Sequence, residues 1–212
     1  MPVIKLNQVS KSLRGIPVFD NVSLEFESGR AYGIVGPNGS GKSVLFKLIC
    51  GFMLPDSGTI EIDKAYKPDG ATFPLDFGII VDRPGYHPDL TAIDNLKRLA
   101  AIRRIIGQPE IIAALEAVGL DPRTRQKARN FSLGMKQKLA LAQAIMENQT
   151  VLLLDEPFNA LDADSVTRVR NLLLEAKAAG KTIIFTSHNA SDIEVLADTV
   201  YQINNRTLEL VA

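Results

Sequence analysis

The chain has 212 residues, 46% of them apolar and 23% charged, the balance of a folded globular protein, which excludes disorder and low complexity. Its 24 basic and 24 acidic side chains cancel, which argues against a nucleic-acid partner, because gripping a phosphate backbone calls for a basic excess. One cysteine, Cys50, excludes an internal disulfide and a multi-cysteine metal site, and no apolar run approaches the ~18 residues of a membrane span. The opening MPVIKLNQVSKS is too polar for a signal peptide, so the expectation is one soluble, cytoplasmic domain, 1–212.

The first residues alternate. Val22, Leu24 and Phe26 are separated by Ser23, Glu25 and Glu27, the period of two of a half-buried strand, and a shorter strand near 3–9 is its expected antiparallel partner. Residues 31–36, AYGIVG, form a continuous apolar run suited to a sheet buried on both faces. A glycine-rich loop follows, then an apolar helix, SVLFKLICGF, ending near Gly51. Further strands are expected at 59–62 and 77–81, joined through the Pro- and Gly-rich stretch 66–74. From about 84 the pattern turns helical: DNLKRLAAIRRI and PEIIAALEAVG carry apolar residues at helical spacing, with Pro109 at a helix start and Gly119 at a stop. Strand and helix then alternate again, with buried strands at 151–154 and 182–186 and a helix at 164–179 closed by Gly180. The tail TVYQINNRTLELV reads as a hairpin turning at Asn204 and Asn205. The expected fold is α/β, with a mostly parallel core sheet (1–81 and 150–212), an N-terminal antiparallel β part and a helical insert at about 84–148.

Three segments carry chemistry. GPNGSGKS, residues 36–43, fits G-x-x-x-x-G-K-[ST] between a predicted strand and a predicted helix. Backbone N–H groups of Gly36, Pro37's neighbour Asn38, Gly39, Ser40 and Gly41 would curl around phosphates, Lys42 would reach the outer phosphates, and the Ser43 hydroxyl would ligate Mg²⁺. VLLLDEP, residues 151–157, runs four buried strand residues into two carboxylates at the strand's C-terminal end, where open α/β sheets place ligands. Asp155 would serve the Mg²⁺ shell and Glu156 would polarise an attacking water. RNFSLGMKQKLALAQAI, residues 129–145, is an amphipathic helix with Ser132 as N-cap, and its start near Gly134 could also grip a phosphate.

Together these segments resemble the ATP-binding subunit of ABC transporters over nearly the whole chain. A Walker A motif stands at 36–43, a signature-like segment at 131–135, a Walker B motif at 151–156, a D-loop-like NALD at 159–162 and a switch-like His188 after TIIFTS. The resemblance implies ATP and Mg²⁺ as cofactors and a P-loop NTPase fold. It makes Lys42, Glu156 and His188 catalytic, places Ser43, Asp155 and Asp82 at the metal, and assigns Gly36 to Ser43, Ser132, Gly134 and Asp162 to nucleotide binding. It also implies a head-to-tail, ATP-dependent dimer with itself or a sister subunit. A separate transmembrane permease subunit would dock on 82–90 and the helical insert, holding the chain on the inner face of the membrane.

Three positions depart from the family pattern. Leu13 stands where an aromatic ring usually stacks on adenine, Asp82 stands at the Q-loop glutamine, and L-S-G-G-Q reads F-S-L-G-M. An acidic Q-loop with S-L-G-M-K-Q and DRPGYHPDL is similar to the ATP-binding subunits of bacitracin-resistance and lantibiotic-export transporters, which favours export of peptide, antibiotic or other drug-like cargo. The alternative is a non-transport ABC ATPase, acting as an ATP-dependent clamp or a regulatory subunit. His87, Cys50 and the cluster Arg98, Arg103 and Arg104 read as surface, core and solvated helix face respectively.

Overall fold

A computed structural model describes residues 2–82 and 85–212; of the expected docking stretch 82–90, Arg83 and Pro84 lie outside the described residues. Nine strands and six α-helices are described, in two sheets. The first sheet has the order β2-β1-β4, from β1 (Pro2–Leu13), β2 (Ile16–Glu27) and β4 (Ser57–Ile62), all antiparallel. The second has the order β5-β6-β7-β3-β8-β9, from β3 (Ala31–Val35), β5 (Phe77–Ile80), β6 (Val151–Leu154), β7 (Thr182–Thr186), β8 (Thr199–Asn204) and β9 (Thr207–Leu210). Only the β8–β9 edge of that sheet is antiparallel.

The continuous apolar runs follow from burial on both faces. Val151, Leu153 and Ile184 join one hydrophobic cluster with Tyr32 and Ile34, under the antiparallel sheet and α1 (Lys42–Ile49). Leu152, Leu154, Ile183 and Phe185 point the other way, into a cluster with α2 (Ala92–Arg103), α3 (Gln108–Ala117), α4 (Leu133–Ile145), α5 (Ala163–Ala178) and α6 (Ala190–Leu196). Because successive strand residues face opposite sides, a strand sandwiched between two cores needs an apolar residue at each position. Cys50 lies inside the first cluster, and burial pushes its thiol up to about 12, which makes it a small hydrophobe.

Helix ends follow local chemistry. Thr91 caps α2 by accepting from the Asp94 amide, so the helix begins two residues before the apolar pattern suggests; Arg104 ends it with a left-handed backbone, φ 57°. Asp162 caps α5 by accepting from the Ser165 amide at 2.8 Å. The final hairpin turns at Asn205 and Arg206, both at positive φ, one residue later than expected. β1 runs from Pro2 to Leu13, beyond the expected 3–9, with register shifts near Gln8 and Val9 as it keeps pairing out to Leu13. α6 had no counterpart in the sequence pattern.

Gly78 shows how closely α4 lies on the sheet. A Cβ built there would sit 1.9 Å from the Ala144 carbonyl oxygen and 2.8 Å from Leu152 Cδ2. Gly78→Ala is therefore expected to destabilise the fold by about 3 kcal/mol, the upper part of the overpacking range, and to lower Tm by roughly 6–12 °C in a thermal melt.

Candidate functional site

Neighbouring strands β6, β7 and β3 are parallel, with Leu154 opposite Phe185 and Thr186 opposite Ile34, so their carboxyl ends finish side by side. Each end delivers part of one site. After β3 the chain turns through residues 36–41 into α1. Gly41 holds φ 110°, and a Cβ there would meet Val18 Cγ1 at 2.7 Å and the Phe19 ring at 3.0 Å, so the tight entry to the helix needs glycine. Lys42, nearly buried, folds back and donates from Nζ to the carbonyl oxygens of Gly36 at 2.8 Å and Pro37 at 3.3 Å.

β6 delivers Asp155 and Glu156. The Ser43 hydroxyl donates to Asp155 Oδ2 at 2.5 Å, and the Thr186 hydroxyl donates to Oδ1 at 2.9 Å. Thr186 also accepts from the Glu156 amide at 2.8 Å, so the end of β7 pins both carboxylate residues. Glu156 adopts a left-handed backbone, φ 51°, a strain of roughly 1–3 kcal/mol that its surroundings must hold. Gln137 of α4 helps, donating from Nε2 to the carbonyl oxygens of Glu156 and Pro157, both at 3.1 Å.

His188 follows β7 and brings Nε2 to 3.2 Å from Glu156 Oε1. The contact is not aligned as a hydrogen bond, and Oε1 is a buried oxygen without a hydrogen-bond partner. Burial pushes the Glu156 carboxyl above the ordinary glutamate range; His188 and Lys42 pull it down, and Asp155 adds to the rise. A buried, unsatisfied carboxylate oxygen beside a cation-bearing loop is the mark of a site shaped for a water and a charged ligand.

Lys42, Ser43, Asp155, Glu156 and His188 line one open cleft of about 390 Å³, together with Leu13, Val18, Asn38 and Gly39. Other expected residues stand elsewhere. Asp82, half exposed, pairs with Lys47 of α1 at 2.5 Å rather than with Ser43 or Asp155. Ser132 caps α4 by accepting from the Met135 amide at 3.2 Å, and a Cβ on Gly134 would sit 2.7 Å from the Ala160 carbonyl oxygen; neither lines the cleft. The Ser165 hydroxyl and amide hold the Asp162 carboxyl below its ordinary range. Sequence reasoning missed Thr186 and Gln137. A hydroxyl ending an apolar strand two residues before His188 was the available signal for the first, and nothing local pointed to the second.

The chain matches the family described as ABC transporter over residues 19–159. It belongs to that family. It is 39% identical to an uncharacterized ABC transporter ATP-binding protein, YybJ of Bacillus subtilis, over 98% of this chain and 95% of that one. It is 34% identical to the bacitracin transport ATP-binding protein BcrA of Enterococcus faecalis over 93% of this chain, but spans 65% of BcrA. The lantibiotic transport ATP-binding protein SrtF of Streptococcus pyogenes is 31% identical, with 93% of this chain and 85% of SrtF covered. Among solved structures, the dimeric ABC transporter cassette MJ0796 superposes with a TM-score of 0.86 at 25% identity, covering 97% of this chain and 96% of that one. MJ0796 bound to ADP and Pi in a post-hydrolysis state gives a TM-score of 0.84. This ABC transporter ATP-binding subunit thus has the α/β cassette fold expected of it, and no helix among its described residues is long and apolar enough to cross a membrane.

The position of Glu156 has a stability signature. Its carboxyl titrates higher in the folded than in the unfolded chain, so between the two values the folded state keeps a proton that the unfolded state has lost. Stability therefore falls as pH rises through that window, and the deficit persists above it. Glu156→Gln is expected to raise Tm at pH 7.5, with the gain vanishing below about pH 4, where both states are protonated; melts across pH check this.

Proposed function

We propose that this chain hydrolyses ATP, with Mg²⁺ as cofactor, to drive a separate membrane permease that exports peptide, antibiotic or other drug-like cargo. The observation that carries the reading is the gathering of Lys42, Ser43, Asp155, Glu156 and His188 around one cleft. BcrA and SrtF, named for bacitracin and lantibiotic transport, support the cargo class.

The residues fit a magnesium ion. Ser43 and Asp155 offer two hard oxygens already in contact, and Mg²⁺ is usually held by one or two protein oxygens plus substrate phosphates and water. When bound, the ion would neutralise charge on the outer phosphates. Asp82 would add a third oxygen on leaving Lys47.

The chain's own groups supply the rest. Lys42 would exchange the Gly36 and Pro37 carbonyls for phosphate oxygens, and the amides of residues 38–43 would cradle the triphosphate with the α1 N-terminus behind them. Glu156 Oε1 would take a hydrogen bond from the attacking water and accept its proton; burial raises its basicity. His188, beside Glu156, would donate toward the γ-phosphate. Catalysis is then positioning and electrostatics, with no covalent intermediate.

Ser132 and Gly134 lie outside the cleft, which supports a head-to-tail dimer in which the partner's copy of that segment closes the site and Asp162 links the two sites. For the permease, a second cleft of about 470 Å³ between β5, α2 and α4 exposes Phe52 and Ile102 and includes Gly85. Its place beside 82–90 and the helical insert supports docking there, on the inner face of the membrane.

The test is Mg-ATP turnover with gel filtration in ATP. Glu156→Gln is expected to lower kcat by about 10²- to 10⁴-fold while remaining dimeric with ATP. Absence of both turnover and dimerisation in the wild type would overturn the reading. Leu13, on the cleft wall, offers no ring for the base; Leu13→Tyr is expected to lower the Kd for ATP at least about fivefold, since base stacking is worth ~1–3 kcal/mol. Equilibrium binding of a fluorescent ATP analogue checks it.

A further inference from the structure

Asp192, in the first turn of α6, has a carboxylate 2% exposed, and a carboxylate is taken out of water only when its charge and lone pairs are met. Arg170 of α5 donates from Nη2 to Oδ1 at 2.5 Å, and the Ser187 hydroxyl donates to Oδ2 at 3.0 Å. Ser187 Oγ in turn accepts from the Asn189 amide at 3.1 Å. The residues on both sides of His188 are thus tied to one buried carboxylate. Helix capping does not account for it, because Asn189 already caps α6 by accepting from the Ser191 amide at 3.0 Å. Nor does substrate contact, because neither Arg170 nor Asp192 lines the cleft.

His188 itself is 49% exposed, so packing does little to aim its ring; its direction is set by the turn that carries it. We propose that Arg170 and Asp192 are positioning residues for ATP hydrolysis, fixing through Ser187 the turn that points His188 at Glu156. The proposal rests on the hydrolytic reading above. Misplacing a reacting group by about 1 Å costs as much as 10²-fold in rate, so a loosened turn lowers kcat without weakening nucleotide binding, which Lys42 and the loop amides supply.

Ser187→Ala is the decisive variant. It cuts the tie between the carboxylate and the His188 turn yet leaves the Arg170–Asp192 ion pair between α5 and α6 intact. Asp192→Asn is its companion. The chain has two histidines, and His87 is exposed, with hydrogen bonds to Asp89 and Asn95 rather than to this network, so the imidazole C–H signals of the nucleotide-free protein report His188 against an internal reference. Both variants are expected to lower kcat about 10- to 100-fold, with KM and ATP affinity within about twofold, and to shift the His188 resonances while His87 stays put. If Ser187→Ala keeps the wild-type kcat and His188 signals, the network is only a packing clip between two helices and the proposal is overturned. A wild type that does not hydrolyse ATP overturns the hydrolytic reading and this proposal with it; a hydrolysing wild type with an indifferent Ser187→Ala overturns the proposal alone.

Discussion

Everything at the site depends on three parallel strands lying next to one another with their ends level. β7 stands between β6 and β3, and the register puts Thr186 opposite Ile34 and Phe185 opposite Leu154. A slip of one residue in either pairing would turn every side chain of the strand to the opposite core and move Thr186 away from Asp155. The two hydrophobic clusters forbid that slip, because each strand is apolar on both faces and shaped to both. Burial on two sides is therefore what brings Lys42, Ser43, Asp155, Glu156 and His188 around one cleft.

On that frame the site concentrates local cost. Glu156 has a left-handed backbone, a buried oxygen without a partner and a raised carboxyl. What holds it comes from two directions: Thr186 from the sheet, and Gln137 from α4. Since Ser132 caps that same helix, the turn bearing Glu156 is joined to the signature-like segment by little more than one turn of α-helix. Gly134 adds a second link, since its close approach to the Ala160 carbonyl leaves no room for a side chain between the signature-like segment and the loop ending at Asp162. The helical insert and the carboxylate site are thus in direct contact at two points, Gln137 and Gly134.

Most of the frame and the centre of the site were legible in the sequence, because they rest on local signals. Continuous apolar runs marked the buried strands, Gly41-Lys42-Ser43 marked a phosphate loop, and Asp155-Glu156 after four apolar residues marked a strand end. What escaped was set by partners far away in the chain. Thr186 meets Asp155 across 31 positions: its place at the end of an apolar strand before His188 was visible, but the carboxylate it holds was not. Asp82 was expected at the metal; in the fold its carboxylate pairs with Lys47, on the adjacent helix α1. α6 was hidden because Asp192, a buried carboxylate, interrupts the apolar pattern that would have revealed it.

The Lys42 ammonium turns back on its own loop and donates to two of its carbonyl oxygens. Those carbonyls serve as an internal surrogate for a phosphate. Binding is then an exchange of partners: an incoming anion must offer more negative oxygen than two peptide dipoles already supply. The two carbonyls thus set a threshold that favours a ligand with several anionic oxygens over one with a single charge.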